Sequence, residues 1–258
     1  MNRKKIGVAL GGGAARGLAH IGVLQVLLEN KIPIDYMSGC SAGAIIGALY
    51  CTGSDMYLLE KVLSNMNERS ILDFTIPKKG FIKGEKAEGI IKILTKNKSF
   101  EQCAIPFAVV ACDLVSAKCI TISQGQLHSA IRASISIPGV FEPVEWGEML
   151  LVDGGVTNRV PIDAVRSMGA NYTIAVDVAY RGWQREKPKN IVDILVQSFE
   201  MSNWETVQRL LIDSDVLLEP DVVDFNLTSL AQTAQCIKKG REATEAVIDK
   251  IKADLELD

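Results

Sequence analysis

The chain has 258 residues, 48% of them hydrophobic and 23% charged, which is the composition of a folded globular protein. A formal net charge of −3 and a pI near 5.6 argue against nucleic acid as a partner, because phosphate binding needs a clustered positive surface. Aromatic residues are only 6% of the chain, which also argues against a base-stacking platform.

The first half of the chain alternates between strand and helix patterns. A short apolar run at 4–10 ends in glycines and predicts a first strand, and apolar residues then recur at helical spacing from Leu18 to Asn30. A second strand is predicted near Tyr36–Met37. Helices are predicted to follow at Ala42–Cys51, 55–67 and 84–96.

The second half continues this alternation. The run Ile105–Cys112 predicts a buried strand, with Lys118–Ser123 as its pairing partner. Helices are predicted at Leu127–Ala133, Pro161–Met168, Ile191–Asp213 and Leu230–Leu255, and strands at Met149–Val152 and Tyr172–Val178. The alternation predicts a three-layer α/β/α fold with a mainly parallel central sheet, in one domain over residues 1–258. The last helix carries apolar residues along one side and is expected to pack on the core.

The apolar stretches do not predict a membrane span. Arg16 and His20 interrupt Ile6–Leu28, while Ala42–Cys51 and Ile105–Val115 are shorter than the roughly 20 residues that a bilayer requires. The N-terminus superficially resembles a signal peptide, but its triple glycine and Arg16 favour a buried first strand.

Six cysteines contain no Cys-x-x-Cys pair and are expected to be buried free thiols in a reducing compartment. We therefore expect a cytoplasmic protein, with peripheral membrane contact as an open alternative.

Two segments are basic, Pro77–Lys86 and Arg181–Lys189. Solvated loops are the favoured interpretation. The alternative is that these segments make transient contact with an anionic lipid surface.

Gly39-Cys40-Ser41-Ala42-Gly43 is a G-x-S-x-G sequence between a predicted strand and a predicted helix. A nucleophile elbow needs this context, because its sharp turn exposes the serine hydroxyl and leaves room only for small neighbours such as Gly39 and Gly43. The N-terminal end of the following helix favours developing negative charge. A helix cap with Ser41 as N-cap is the structural alternative. Cys40 precedes the central residue and is expected to point away.

The segment Gly11–Gly17 follows the first strand and opens a helix. A dinucleotide-binding fingerprint would place an acid at the end of the second strand, but that strand ends in Ser38-Gly39, and position 14 is alanine instead of glycine. An oxyanion hole suits the segment better, because consecutive small residues expose backbone N–H groups that can converge on one oxygen.

Histidine is scarce, with only His20 and His128 in the chain. A Ser–Asp–His triad in hydrolase order is therefore not expected, since no histidine lies in the second half and His20 is interpreted as a helix-surface or packing residue. Asp153 ends an apolar run and precedes two glycines. In isolation this is a turn, but desolvation would raise the Asp153 pKa and suit it as a base for Ser41.

Four motifs resemble the patatin-like phospholipase family, in particular compact bacterial members related to the catalytic domain of neuropathy target esterase. The motifs are G-G-G-A-A-R-G-L-A-H-I-G-V-L (11–24), G-C-S-A-G (39–43), R-A-S-I-S-I-P-G-V-F-E-P-V (132–144) and L-V-D-G-G-V (151–156). They cover roughly residues 5–180 in the family's order. Ala14 departs from the glycine that is usual in the family.

The resemblance implies roles for individual residues. Ser41 would be the nucleophile and Asp153 the base. The oxyanion hole would be formed by Gly11, Gly12 and Gly13, with Arg16 shaping the loop, together with Ala42. An acyl pocket is expected among residues of the third motif, namely Ser134, Ile135, Ile137, Pro138 and Phe141.

The expected function is a serine lipid acyl hydrolase that acts on glycerophospholipids, lysophospholipids or simple carboxylic esters, without cofactor or metal and without nucleic acid. The oligomeric state stays open. A regulatory or adaptor protein with weak or incidental esterase activity is the alternative from a different class, and a nucleotide-binding oxidoreductase is the third hypothesis.

Overall fold

The centre of the fold is a sheet of buried strands. The computed structural model describes residues 3–65, 79–179, 187–188, 191–202, 204–227 and 229–257. The strands of this part of the chain are β1 (Ile6–Leu10), β2 (Tyr36–Cys40), β3 (Gly80–Ile82), β4 (Phe107–Asp113), β5 (Lys118–Ile122), β6 (Gly139–Phe141), β7 (Val144–Trp146), β8 (Met149–Asp153), β9 (Tyr172–Val176) and β10 (Val216–Leu218). The helices are α1 (Ala19–Glu29), α2 (Ala42–Cys51), α3 (Met56–Ser64), α4 (Glu85–Leu94), α5 (Leu127–Ser134), α6 (Ile162–Ser167), α7 (Ile191–Ser202), α8 (Trp204–Leu211), α9 (Thr233–Glu245) and α10 (Ile248–Leu255).

The main sheet has the order β10-β9-β1-β2-β4-β8-β7, with β5 also paired to β4. Strands β10, β9, β1, β2 and β4 are parallel to their neighbours, whereas β5, β8 and β7 join in antiparallel pairs. A separate two-stranded sheet pairs β3 with β6. The predicted α/β class with a mainly parallel sheet is therefore confirmed.

Helices cover both faces of the sheet, because successive residues of a strand point to opposite sides. Val8 and Leu10 of β1 lie in the large core together with Leu24 of α1. Ala9, between them, lies in a second cluster with Val165 of α6. The three predicted layers follow from this division.

Two predicted helices differ from the structure. The helix predicted at Ile191–Asp213 is two helices, α7 and α8, on either side of residue 203, which lies outside the described residues. The helix predicted at Leu230–Leu255 is α9 followed by α10, with Ala246 and Val247 between them. Strands β3, β6, β7 and β10 were not predicted. They are only three residues long, too short for a period-2 pattern to distinguish them from a loop.

The C-terminal helices pack on the core, as predicted from their apolar side. Ile237 of α9 and Ile251 of α10 are buried. Helix α9 lies so close to α1 that a Cβ at Gly240 would overlap the backbone of Ala19, and one at Gly22 would overlap the carbonyl of Ile237. Glycine is thus needed on both helices for this close approach.

The predicted free thiols are confirmed, since all six cysteines are described and none forms a disulfide. Four of the six are buried and two are half-buried. Within the described ranges, no helix combines the length and the apolar character that crossing a bilayer demands.

The two basic segments are described only in part. In the first, Lys79 lies 3.5 Å from Glu145, with both side chains exposed, and β3 follows it. Pro77 and Lys78 lie outside the described residues, as does all of the second segment except Lys187 and Pro188, which are exposed. The first segment is therefore not simply a solvated loop, because it contributes a strand.

The close contact between α1 and α9 can be tested with a pair of glycine variants. Gly240→Ala should destabilise the protein by about 1–3 kcal/mol, because the added methyl group forces two backbones apart. Gly89→Ala in α4 is the matched control, since a Cβ there meets open space, and it should stabilise by about 0.5–1 kcal/mol. Urea unfolding measures both changes. Equal stability of the two variants would contradict this packing.

Candidate active site

Ser41 lies in the sharp turn between β2 and α2. Its backbone has φ 51° and ψ −119°, a left-handed conformation that costs a non-glycine residue about 1–3 kcal/mol. The turn requires small neighbours, because a Cβ at Gly39 would overlap the backbone of Ala44, and one at Gly43 would overlap the carbonyl of Leu10. The Ser41 side chain does not cap α2, so the helix-cap interpretation is wrong.

A buried serine holds the strained turn in place. The N–H of Ser41 donates to Ser134 Oγ at 2.8 Å, and this hydroxyl donates to the carbonyl of Val110 at 2.7 Å. Ser134 is fully buried at the end of α5. It was expected in the acyl pocket, but its hydroxyl is instead used to fix the backbone of Ser41. Sequence reasoning selected this residue but not its contact.

Strand β4 brings Asp153 level with Ser41. Cys40 pairs with Val110 of β4, and the next residue of β4, Ala111, pairs with Asp153. Strand β5 occupies the other edge of β4 along Val109–Asp113, so β2 and β8 share one edge of β4. Because β8 runs antiparallel to β4, its carboxyl end meets the carboxyl end of β2 on that edge. The two predicted residues thus lie where these two strand ends meet.

The Asp153 carboxyl group is buried and incompletely hydrogen-bonded. Its Oδ1 accepts from the Gly155 N–H at 2.8 Å and from Cys40 Sγ at 3.7 Å, whereas its Oδ2 has no hydrogen-bond partner among the described residues. Burial raises the Asp153 pKa to about 6, and this outweighs the lowering by the nearby Ser41 hydroxyl and the Gly155 N–H. The Ser41 hydroxyl is close enough to affect that pKa without forming a hydrogen bond of normal geometry. The carboxylate therefore keeps an oxygen available as a proton acceptor.

Cys40 is not arranged as a nucleophile. Its side chain is fully buried, with no surface accessible to solvent. This burial raises the pKa of its thiol. The thiol therefore stays protonated and donates weakly to Asp153.

Two of the predicted oxyanion-hole amides are already used within the fold. The Gly11 N–H donates to the Val176 carbonyl at 2.9 Å, and the Gly12 N–H donates to the Arg159 carbonyl at 3.0 Å. The prediction that these two amides are free donors is therefore wrong. Gly12 still has a steric role, because a Cβ there would lie 3.3 Å from the Ser41 Cβ.

Three other amides are available beside Ser41. Within the described part of the chain, the N–H groups of Gly13, Ala14 and Ala42 have no hydrogen-bond partner. Gly13 and Ala14 line the same cavity as Ser41, while Ala42 is the first residue of α2. Ala14 has φ 50°, so the position where the family usually has glycine is indeed left-handed here. Gly13 and Ala42 belong to the predicted oxyanion-hole set, and Ala14 is an additional amide that was not in that set.

Arg16 and His20 are buried beside this glycine loop. Arg16 is buried, with its Nε donating to the Phe225 carbonyl at 3.3 Å and its Nη1 lying 3.4 Å from Glu200 Oε2. The His20 Nε2 lies 2.8 Å from the Gly11 carbonyl, and burial lowers the His20 pKa to about 4, so the ring is neutral and donates this bond. His20 is therefore a packing residue and not a helix-surface residue.

Neither histidine lines the cavity that contains Ser41. His128 lies on α5, where its Nδ1 is 2.8 Å from Glu88 of α4. Among the described residues, no group of three or more His, Cys, Asp or Glu side chains is arranged to hold a metal ion.

The cavity above Ser41 has a volume of about 20 Å³. Of the residues expected in an acyl pocket, Ile137 lines it, whereas Ile135 is buried in the main core. Pro138 is half-buried and does not line the cavity, and Phe141 packs against the Arg132 guanidinium at 5.5 Å. Among the residues predicted for an acyl pocket, Ile137 is thus the one that lines this cavity.

Several cavity residues were missed because they lie outside the four motifs. Val196, Phe199 and Glu200 come from α7, in the region that the four motifs do not cover. Arg159 also lines the cavity and is held by Asp177, with 2.9 Å between Nη2 and Oδ2. The sequence predicted a helix over α7, but nothing in it showed that this helix faces Ser41.

Comparisons with known proteins show the family of this chain. The sequence profile described as "Patatin-like phospholipase" matches residues 8–166, which is more than half of the chain and includes both Ser41 and Asp153. The chain belongs to the patatin-like phospholipase family. Its resemblance to the neuropathy-target-esterase branch is also supported, because similar curated proteins carry the name NTE family protein.

Two such relatives of this patatin-like chain come from Mycobacterium tuberculosis and are named uncharacterized NTE family proteins. One is 36% identical over 176 residues, covering 67% of this chain and 49% of the relative. The other is 28% identical over 273 residues, covering 95% of this chain and 46% of the relative. The patatin-like chain thus spans about half the length of these relatives.

The crystal structure of VipD from Legionella pneumophila has a similar fold. Its TM-score with the patatin-like chain is 0.70 at 12% sequence identity, and the match covers 97% of this chain and 67% of VipD. At this identity the likeness concerns the fold alone.

The raised pKa of Asp153 makes a testable contribution to stability. The folded state binds this proton more tightly than the unfolded state does, so stability is lost as the pH rises from about 4 to above 6. Asp153→Asn removes this loss. The free energy of unfolding of the variant, relative to that of the wild type, should therefore rise by on the order of 2–3 kcal/mol from pH 4 to pH 8. Urea unfolding at both pH values measures the difference.

Asp113→Asn is the control. The Ser116 hydroxyl and backbone N–H groups lower the Asp113 pKa from its ordinary 3.8, so, as the pH rises, the wild type gains stability from this carboxylate mainly below about pH 4. The stability difference between Asp113→Asn and the wild type should therefore change little from pH 4 to pH 8. A gain in the stability of Asp153→Asn that does not depend on pH would contradict a buried carboxyl group with a raised pKa.

Proposed function

We propose that this chain is a serine lipid acyl hydrolase that uses a Ser41–Asp153 dyad. The observation that carries the proposal is the pairing of a strained serine at the start of a helix with a buried aspartate that has an unpartnered oxygen in the same cavity. The family membership supports a hydrolase acting on carboxylic ester bonds. The substrate classes are glycerophospholipids, lysophospholipids and simple carboxylic esters.

In the first half of the reaction, Ser41 Oγ attacks the ester carbonyl while Asp153 Oδ2 accepts the hydroxyl proton. The pKa of about 6 suits this role, because the carboxyl group is ionised at neutral pH yet more basic than an exposed aspartate. The Gly13, Ala14 and Ala42 amides are the proposed donors to the oxyanion, and the N-terminal end of α2 adds a favourable field. The proton then passes from Asp153 to the leaving alkoxide, which departs as an alcohol and leaves an acyl-Ser41 ester.

In the second half, Asp153 accepts a proton from a water molecule that attacks the acyl-serine carbonyl. The same amides hold the second oxyanion, and Asp153 returns the proton to Ser41 Oγ as the fatty acid leaves. A single carboxylate can serve both steps, because it faces the nucleophile directly and needs no histidine to carry the proton.

The regulatory or adaptor alternative is favoured by one observation, the size of the cavity. About 20 Å³ holds a water molecule, which needs about 10–15 Å³, but not an acyl chain. A site that stays closed would bind no ester, and the fold would then serve another purpose. Labelling of the serine distinguishes the two functions.

A fluorophosphonate probe should label the wild-type protein at Ser41 and should not label Ser41→Ala. Hydrolysis of short-chain nitrophenyl esters should fall at least 10³-fold in Ser41→Ala, since the nucleophile is lost while the oxyanion donors stay. Intact-protein mass spectrometry and absorbance measure the two results. A folded wild-type protein that is neither labelled nor active, both alone and with phosphatidylglycerol vesicles present, would overturn the proposal and favour the adaptor function.

Replacing both histidines tests whether the dyad is sufficient. His20→Gln/His128→Gln should keep ester turnover within about fivefold of the wild type, because the amide side chain introduced in place of His20 can still donate to the Gly11 carbonyl. Loss of a general base would instead lower turnover by about 10²–10⁴-fold. Turnover is compared after circular dichroism has established folding of the double variant, and each single variant shows which histidine is responsible for any loss.

A further inference from the structure

Helix α7 closes the site above Ser41. Its residues Val196, Phe199 and Glu200 line the cavity of about 20 Å³, and a Cβ at Gly155 would lie 3.2 Å from the Phe199 ring. This volume is too small for an acyl chain, and α7 supplies three of the side chains that bound it. That an ester has to enter this cavity rests on the proposed function.

Helix α7 can move without opening the main core. Val196 packs with Ile82, Val140 and Leu227 in a small cluster that is separate from the large core around β1. Such a satellite cluster lies at the low end of local stability, since it buries few apolar side chains.

Two arginines also hold the helix over the cavity. The Glu200 carboxylate lies 3.4 Å from Arg16 Nη1, and the Arg159 Nη1 donates to the Glu200 carbonyl at 3.4 Å. Both contacts are long, and both arginines have further partners that do not belong to α7, namely the Phe225 carbonyl and the Asp177 carboxylate. Release of α7 therefore leaves neither guanidinium without a partner.

The opposite side of α7 exposes an apolar stripe, which we define as Ile191, Ile194 and Met201. These side chains are 58%, 51% and 54% exposed. Their spacing of three and seven residues places them on one side of the helix, whereas the side formed by Val192, Leu195, Val196 and Phe199 faces the protein. The helix thus carries two apolar sides, of which the outer has no partner among the described residues.

We propose that the outer stripe of α7 binds an anionic lipid surface and that this binding draws the helix away from Ser41. The sequence just before α7 is cationic, with Arg181, Arg185, Lys187 and Lys189 against a single Glu186, and Lys187 is exposed. Basic residues next to an exposed apolar helix side suit an interface with anionic lipids. A lipid surface also holds the proposed substrate, so one contact both opens the cavity and supplies the ester.

Vesicle flotation tests the surface independently of catalysis. Ser41→Ala should float with vesicles of phosphatidylglycerol and phosphatidylcholine, and more weakly with phosphatidylcholine alone. Adding Ile191→Gln, Ile194→Gln and Met201→Gln should weaken this binding at least tenfold. The matched control adds Leu58→Gln, Ile93→Gln and Val115→Gln, three comparably exposed apolar residues on other elements, and should bind like Ser41→Ala.

The activity of proteins with Ser41 intact tests the opening of the cavity. The ratio of phosphatidylglycerol hydrolysis in vesicles to hydrolysis of a soluble monomeric ester should fall at least tenfold in the stripe variant and stay unchanged in the control variant. Equal flotation of the stripe variant and Ser41→Ala would overturn the proposal, as would equal losses in stripe and control variants. Failure of Ser41→Ala to float at all would also overturn it and would assign the stripe to a protein partner. Absence of fluorophosphonate labelling would overturn the proposed function but leave the flotation result standing.

Discussion

The geometry of the site depends on backbone-to-backbone contact between the glycine loop after β1 and the start of α2. A Cβ at Gly43 would overlap the Leu10 carbonyl, and one at Gly17 would overlap the Ala42 Cβ. These two glycines allow the loop to lie directly beside the elbow, so that the amides of Gly13, Ala14 and Ala42 and the hydroxyl of Ser41 surround one small volume. Any side chain at these positions would separate the nucleophile from its proposed donors.

Burial of charged groups sets the electrostatic character of this volume. Asp153 is desolvated and only partly hydrogen-bonded, which destabilises the folded protein at neutral pH but yields a more basic carboxylate. The surrounding arginines are matched to other carboxylates, Arg16 to Glu200 and Arg159 to Asp177, and are thus not committed to Asp153. A direct Arg–Asp153 pair would have lowered the pKa and removed the base.

Features encoded in short contiguous segments could be predicted from the sequence. The bounds of α2 match the prediction, and Ser41 and Asp153 were selected because each lies between a strand pattern and small residues. The free amides could not be predicted, because whether Gly12 or Gly13 is free depends on a carbonyl of Arg159, which is distant in the chain. Similarly, Phe199 reaches the site only through the way α7 packs, and periodicity shows that a helix has a buried side without showing what covers it.

The pairing of both β2 and β8 with one edge of β4 has a consequence for biosynthesis. Ser41 is made early, together with the glycine loop, but its partner Asp153 reaches it only after β4 has paired with β8, and the whole of β3–β7 is synthesised in between. Such non-local pairing forms late, because the chain loses entropy in closing the loop before the stabilising contacts form. A nascent or truncated chain that ends before β8 therefore carries Ser41 without Asp153.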